Sequence, residues 1–201
     1  MEAADWDARY AATDLVWSAA PNVWVEELVS GMPPGRALDI AAGEGRNALW
    51  LVEQGWEVEA VDFSPVAVQR VADLAAGRLG ERASRLTAVV GDATALVGEG
   101  DRDLVLFCYL HLPRDEWDAA IAAGLRACRP GGTVLVIGHA RRNLLEGVGG
   151  PQDPAILLDP EHVVASVEGL PVVVERAELR QRVVPDADRP ALDTVVLLRR
   201  R

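Results

Sequence analysis

Hydrophobic and polar positions follow two alternating rhythms along this chain. Short apolar or alternating runs at residues 36–40, 56–62, 86–92, 103–110 and 133–139 read as strands. Longer segments with helical spacing separate them. Residues 45–54 form one, with Gly55 placed as its C-terminal stop. Ser64 and Pro65 make an N-cap and first-turn pair that opens a second helix, to about Gly77. Residues 114–128 form an amphipathic third, closed by the breaker Pro130–Gly131–Gly132. The runs at 103–110 and 133–139 are almost wholly apolar, as expected for central parallel strands buried on both faces. Strands alternating with helices predict an α/β layer fold.

The last part of the chain breaks the rhythm. A helix is expected at 159–168, with Asp159 as N-cap and Pro160 in first position. Two β-type runs follow, at 172–184 and 191–199, with only a short turn between them. A parallel pair needs a crossover of roughly a dozen residues, so these two strands must be antiparallel. A parallel core of five strands therefore ends in an antiparallel pair.

The apolar content, half of 201 residues, lets one domain bury a core without disulfides or a structural metal. The formal net charge of −11 argues against nucleic acid as a partner. Cys108 and Cys128 lie in apolar segments without zinc spacing and read as reduced core thiols, and no metal site is expected. No apolar stretch is long enough to span a membrane, and the acidic start (MEAADWDARY) is unlike a signal peptide, so the cytoplasm is the expected location.

Candidate chemistry gathers at successive strand ends. The segment LDIAAGEGRN, residues 38–47, follows a strand and opens a helix. Gly43 and Gly45 let the backbone approach a ligand, and the helix start offers unpaired N–H groups. Asp62 ends the second strand, where an acid can accept both hydroxyls of a ribose; Phe63 stands beside it. Asp92 and Ala93 follow the third strand, where a carboxylate and a backbone N–H can read an adenine ring. Open α/β sheets bind ligands at this carboxyl edge.

With these residues in place, the chain resembles the class I S-adenosylmethionine-dependent methyltransferases, from about Trp6 to Val136. The resemblance implies a Rossmann-like, mostly parallel seven-stranded sheet with a C-terminal antiparallel pair and helices on both faces. It implies S-adenosylmethionine as cofactor and S-adenosylhomocysteine as product. Asp39, Gly43 and Gly45 would hold the methionine portion, Asp62 the ribose, and Asp92 with Ala93 the adenine. The family has a glycine where this chain has Ala41, and alanine reaches positive φ only at a cost. A closer resemblance, to bacterial tellurite-resistance and thiopurine-type methyltransferases, is carried by WDARY (6–10), WSAAPN (17–22) and GEGRN (43–47). It implies that residues 1–35 form a helical segment folding over the cofactor, with Tyr10, Trp17 and Arg46 at its lid or methionine end. Residues 36–139 would be the cofactor-binding core, and 140–201 the acceptor loop and antiparallel finish.

Transfer of a methyl group from a sulfonium needs alignment of the nucleophile and exclusion of water, and a hydroxyl acceptor also benefits from a base. His111 and His139 follow the fourth and fifth strands at the ligand edge, and either one can serve. The resemblance implies that Tyr109 flanks the sulfonium, where an aromatic ring favours a cation. The Gly- and Pro-rich stretch 140–158 lacks a clear helix and is assigned to the acceptor pocket. The expected acceptor is a small-molecule hydroxyl, such as that of a sugar or polyol, with thiol, selenol or tellurite-type acceptors also open. A monomer or homodimer is expected. The rival reading is a nicotinamide-dependent oxidoreductase, because Gly43, Gly45 and Ala48 fit GxGxx[GA]. Asp39, the aspartate after the third strand and the antiparallel finish all weigh against it.

Overall fold

Valine-, leucine- and isoleucine-rich runs, sealed by helices on either side, give one seven-stranded sheet in the order β3-β2-β1-β4-β5-β7-β6. The structure is a computed structural model and describes Asp7 and residues 20–96 and 100–201. The strands are β1 (Arg36–Ile40), β2 (Glu57–Asp62), β3 (Leu86–Val90), β4 (Arg102–Cys108), β5 (Cys128–His139), β6 (Val172–Arg182) and β7 (Ala191–Arg200). The first five run parallel. β7 pairs antiparallel with β5 and with β6, as the short turn between the last two strands requires.

The described helices are α1 (Val23–Val29), α2 (Arg46–Glu53), α3 (Pro65–Leu79), α4 (Arg114–Ala127), α5 (Asn143–Glu146) and α6 (Pro160–Ser166). Ser64 caps α3, its hydroxyl accepting the Ala67 N–H at 3.1 Å. One face of the sheet is sealed by α1, α2 and α3 through Trp24, Val25, Trp50, Val71 and Leu79. The other is sealed by α4 and α6 through Trp117, Ile121, Leu125 and Val163. Phe107 meets Trp117 edge to face at 5.6 Å between ring centres. No helix among the described residues is long and apolar enough to cross a membrane.

The structure corrects three details of the sequence reading. β5 starts at Cys128 rather than Thr133, because the Pro130–Gly131–Gly132 segment is carried as an irregularity within the β4–β5 pairing. Stretch 140–158 contains a single helical turn, α5, and a 3₁₀ turn at Pro154–Ile156. Ala41 takes the left-handed conformation, φ 57°, despite its side chain. This strain, less the extra chain freedom of glycine, makes Ala41→Gly a stabilising change of about 0.5–1 kcal/mol. Thermal unfolding is expected to shift up by about 1–4 °C; an unchanged or lower midpoint would show that the loop carries no such strain.

Candidate active site

The order of the strands reverses between β1 and β4, and the carboxyl edge there is where an open α/β sheet offers a crevice. The loop after β1 turns through left-handed residues at Ala41, Gly43 and Gly45. Gly45 is also the N-cap of α2, and a β-carbon there would stand 2.9 Å from Val71 of α3. Only glycine satisfies both conditions, so the loop packs the start of α2 tightly against α3.

Asp39 lies at this edge, 1% exposed, and neither carboxylate oxygen has a hydrogen-bond partner among the described residues. Burial pushes its pKa up to about 7. The nearby Arg46 charge opposes that shift, Asp62 adds to it, and the Ala48 N–H favours ionisation without completing a bond of good geometry. A carboxylate left this way is costly unless a ligand supplies the missing donors.

Asp62 is 5% exposed and ties two loops together. Its Oδ2 accepts the Gly43 N–H at 2.8 Å and its Oδ1 the Ser64 N–H at 3.0 Å. Burial raises its pKa and the two N–H groups counter it. A carboxylate has about four acceptor positions, so these bonds leave room for a diol. Asp7 accepts a hydrogen bond from the Ser64 hydroxyl at the same place. Phe63 presents an exposed ring beside Asp62. Asp92 forms a turn, its Oδ1 accepting the Thr94 N–H and hydroxyl, both at 2.8 Å, with half-buried Ala93 between. Trp17, with Trp6 and Tyr10, lies outside the described residues.

Beyond β4 the edge is aromatic and cationic. Tyr109 is held in the left-handed region, φ 62°, a conformation that strains a bulky residue. The guanidinium groups of Arg46 and Arg182 lie 5.9 and 5.6 Å from its ring centre. Its ring sits 4.8 Å from that of His139, which in turn stacks on His111 at 5.6 Å. The two histidines are not equivalent. His111 Nε2 accepts the backbone N–H of His139 at 3.2 Å, and burial pushes its pKa down to about 3. His139 keeps a more modest downward shift, also from burial, opposed by the charge of Asp193.

Asp193 escaped the sequence reading. It sits opposite His139 in the β5–β7 register and is wholly buried. Its Oδ2 accepts from Trp24 Nε1 at 2.9 Å, the Tyr109 hydroxyl at 2.9 Å and Arg182 Nε at 2.7 Å. Its Oδ1 faces His139 Nδ1 at 3.5 Å. Asn22 joins this group by donating to the Tyr109 hydroxyl at 3.2 Å, while its own N–H bonds Asn47 of α2. Asn143 anchors the loop above: it accepts the Leu192 N–H at 2.7 Å and donates to the carbonyls of Val148 and Gly149. The signal for Asp193 was one carboxylate inside the otherwise apolar start of a strand.

Residues 37–132 match the sequence profile of a family described as a methyltransferase domain. Two curated relatives match over 113 residues, 56% of this chain: hemagglutinin 1 of Eikenella corrodens at 34% identity and demethylmenaquinone methyltransferase of Renibacterium salmoninarum at 32%. The aligned part is 37% of the first and 44% of the second, so this chain matches less than half the length of either. Among solved structures, 1,6-didemethyltoxoflavin-N1-methyltransferase of Burkholderia thailandensis, with bound 1,6-didemethyltoxoflavin and S-adenosylhomocysteine, aligns with TM-score 0.70. That alignment covers 98% of this chain and 86% of the other at 22% identity. The fold is the Rossmann-like methyltransferase fold. Within it, the antiparallel β6–β7 pair brings Arg182 and Asp193 to the same edge as the ends of the parallel strands.

Proposed function

We propose that the chain is an S-adenosylmethionine-dependent methyltransferase that transfers a methyl group to a hydroxyl oxygen of a small molecule, such as a sugar or polyol. The observation that carries this reading is Asp39, a buried carboxylate with no hydrogen-bond partner among the described residues, beside a glycine loop and a helix start. The cofactor carries an ammonium group at its amino acid end, and that group satisfies the carboxylate that the described residues leave without a partner. Asp39, Gly43, Gly45 and Arg46 hold the methionine portion, Asp62 with Phe63 the ribose, and Asp92 with Ala93 the adenine. Tyr109 lies against the sulfonium side. The finer likeness to the tellurite-resistance and thiopurine-type subgroup is part of this reading.

When bound, S-adenosylmethionine supplies a methyl carbon already activated by positive sulfur. The chain's own residues then have three tasks. Asp39 and the loop fix the donor. Loop 140–158, pinned by Asn143, covers the acceptor and excludes water. A base removes the hydroxyl proton, and the geometry favours His139, because the acceptor nitrogen of His111 is already used. The acidic chain favours a small molecule over nucleic acid.

Asp62→Ala is expected to weaken S-adenosylmethionine binding by about 1.5–3 kcal/mol, through the lost ribose contacts and the loosened Gly43 N–H. An unchanged affinity in a folded variant would remove Asp62 from the cofactor site. The function itself is tested by incubating the protein with methyl-labelled S-adenosylmethionine and panels of hydroxyl, amine and thiol compounds. Label on oxygen supports the reading, label confined to nitrogen or sulfur corrects the acceptor, and no transfer to any panel rejects it.

A further inference from the structure

A buried carboxylate with one saturated oxygen and one bare one is an unusual thing to place behind a histidine. Trp24, Tyr109 and Arg182 all donate to Asp193 Oδ2. Together they fix the plane of the carboxylate and leave Oδ1 directed at His139. Among the described residues neither Asp193 Oδ1 nor His139 Nδ1 has another hydrogen-bond partner. A bare imidazole lone pair against a bare carboxylate oxygen is repulsive, and both groups are buried. A proton on Nδ1 removes the repulsion and pairs both atoms at once.

We propose that Asp193 is a positioning residue for His139: it holds the Nδ1–H tautomer, directs the bare Nε2 at the acceptor and stabilises the imidazolium once the proton arrives. This rests on the reading of His139 as the base in methyl transfer to oxygen. The acceptor O–H gives its proton to Nε2 as the oxygen forms its bond to the methyl carbon. The electrons of the carbon–sulfur bond pass to sulfur, and the proton later leaves Nε2 for water. The 3.5 Å separation of Nδ1 and Oδ1 is long for a finished hydrogen bond, as catalytic contacts often are before substrate binds.

The other charged and titratable groups around His139 fit this role. His111 stacks on it with its Nε2 already bonded to the His139 N–H, so it is neutral and offers no proton there. Tyr109 lies against the ring with its hydroxyl donating to Asp193. Arg182 balances the charge of Asp193 through Oδ2, leaving Oδ1 as the anionic contact of Nδ1. Gly150 closes over the imidazole: a β-carbon there would stand 2.9 Å from Nε2, so the loop must be glycine to lie so close.

The test reads the proton directly. The chain has only three histidines, so their imidazoles resolve in nitrogen-15 correlation spectra of uniformly labelled protein. His139 is expected as the Nδ1–H tautomer in the wild type, without any acceptor present. In Asp193→Asn the three donors require the amide oxygen in place of Oδ2, which turns the amide NH₂ toward His139. The tautomer should then switch to Nε2–H, with turnover falling by on the order of 10²–10⁴ at nearly unchanged cofactor affinity. Trp24→Phe removes one donor from Oδ2 and should leave the Nδ1–H tautomer in place. An Nε2–H tautomer in the wild type, or an unchanged tautomer in Asp193→Asn, overturns the proposal. The wild-type spectrum needs no substitution and no turnover. It therefore decides the pairing even if Asp193→Asn fails to fold or the methyl acceptor proves not to be a hydroxyl.

Discussion

S-adenosylmethionine affinity is expected to fall about tenfold per pH unit as the solution is acidified below about pH 7, and to lose this dependence in Asp39→Asn. Burial holds the Asp39 carboxyl at about 7, against an ordinary 3.8. A cationic amino group binds the ionised form, so a protonated Asp39 must first give up its proton. Calorimetry in two buffers of different ionisation enthalpy should detect up to about one proton released per cofactor near pH 6. Asp39→Asn should weaken binding at neutral pH by on the order of 100-fold, equivalent to ~3 kcal/mol for a charge-assisted contact. The same substitution should raise the stability of the cofactor-free protein. Because the folded pKa is raised, the folded chain holds the proton more tightly than the unfolded one, and stability declines as pH rises from about 4 to about 7. At pH 8 the asparagine variant should therefore exceed the wild type by a few kcal/mol in denaturant unfolding. A variant that binds normally, or binding that ignores pH over this range, would remove Asp39 from the cofactor site.

The second large effect concerns the base. His139→Ala is expected to lower turnover by on the order of 10²–10⁴ with cofactor affinity nearly unchanged. His111→Ala should act mainly on stability, because it leaves the half-buried His139 N–H without its acceptor, a loss of about 1–3 kcal/mol. Burial lowers the His139 pKa, so the imidazole stays neutral, and able to accept a proton, to more acidic pH than an exposed histidine does. At saturating cofactor, turnover should hold as pH falls through 6.5 and decline only below it. Near wild-type turnover in His139→Ala with a methylated hydroxyl acceptor would mean that alignment alone, or another carboxylate, does this work.

The sequence made the parallel half of the fold legible because its strands are short, apolar and separated by glycine, proline and capping serine. The turn between β6 and β7 was short enough to dictate their pairing. Asp39 and Asp62 were legible because they end strands beside a glycine loop. What was not legible depends on contacts between distant parts of the chain. Asp193 reaches His139 only through the β5–β7 register, and its other partners come from α1, the end of β4 and β6. The difference between His111 and His139 rests on one backbone hydrogen bond that no spacing reveals. Ala41 shows a local preference overridden, since the loop holds a left-handed alanine where glycine would be relaxed.

Calorimetric titration of the wild-type chain with S-adenosylmethionine, and separately with NAD, tests the central claim most directly. The account predicts saturable binding of one S-adenosylmethionine per chain at about pH 7.5, weakened in Asp39→Asn, and no saturation by NAD. Saturable binding of NAD with none of S-adenosylmethionine would contradict it.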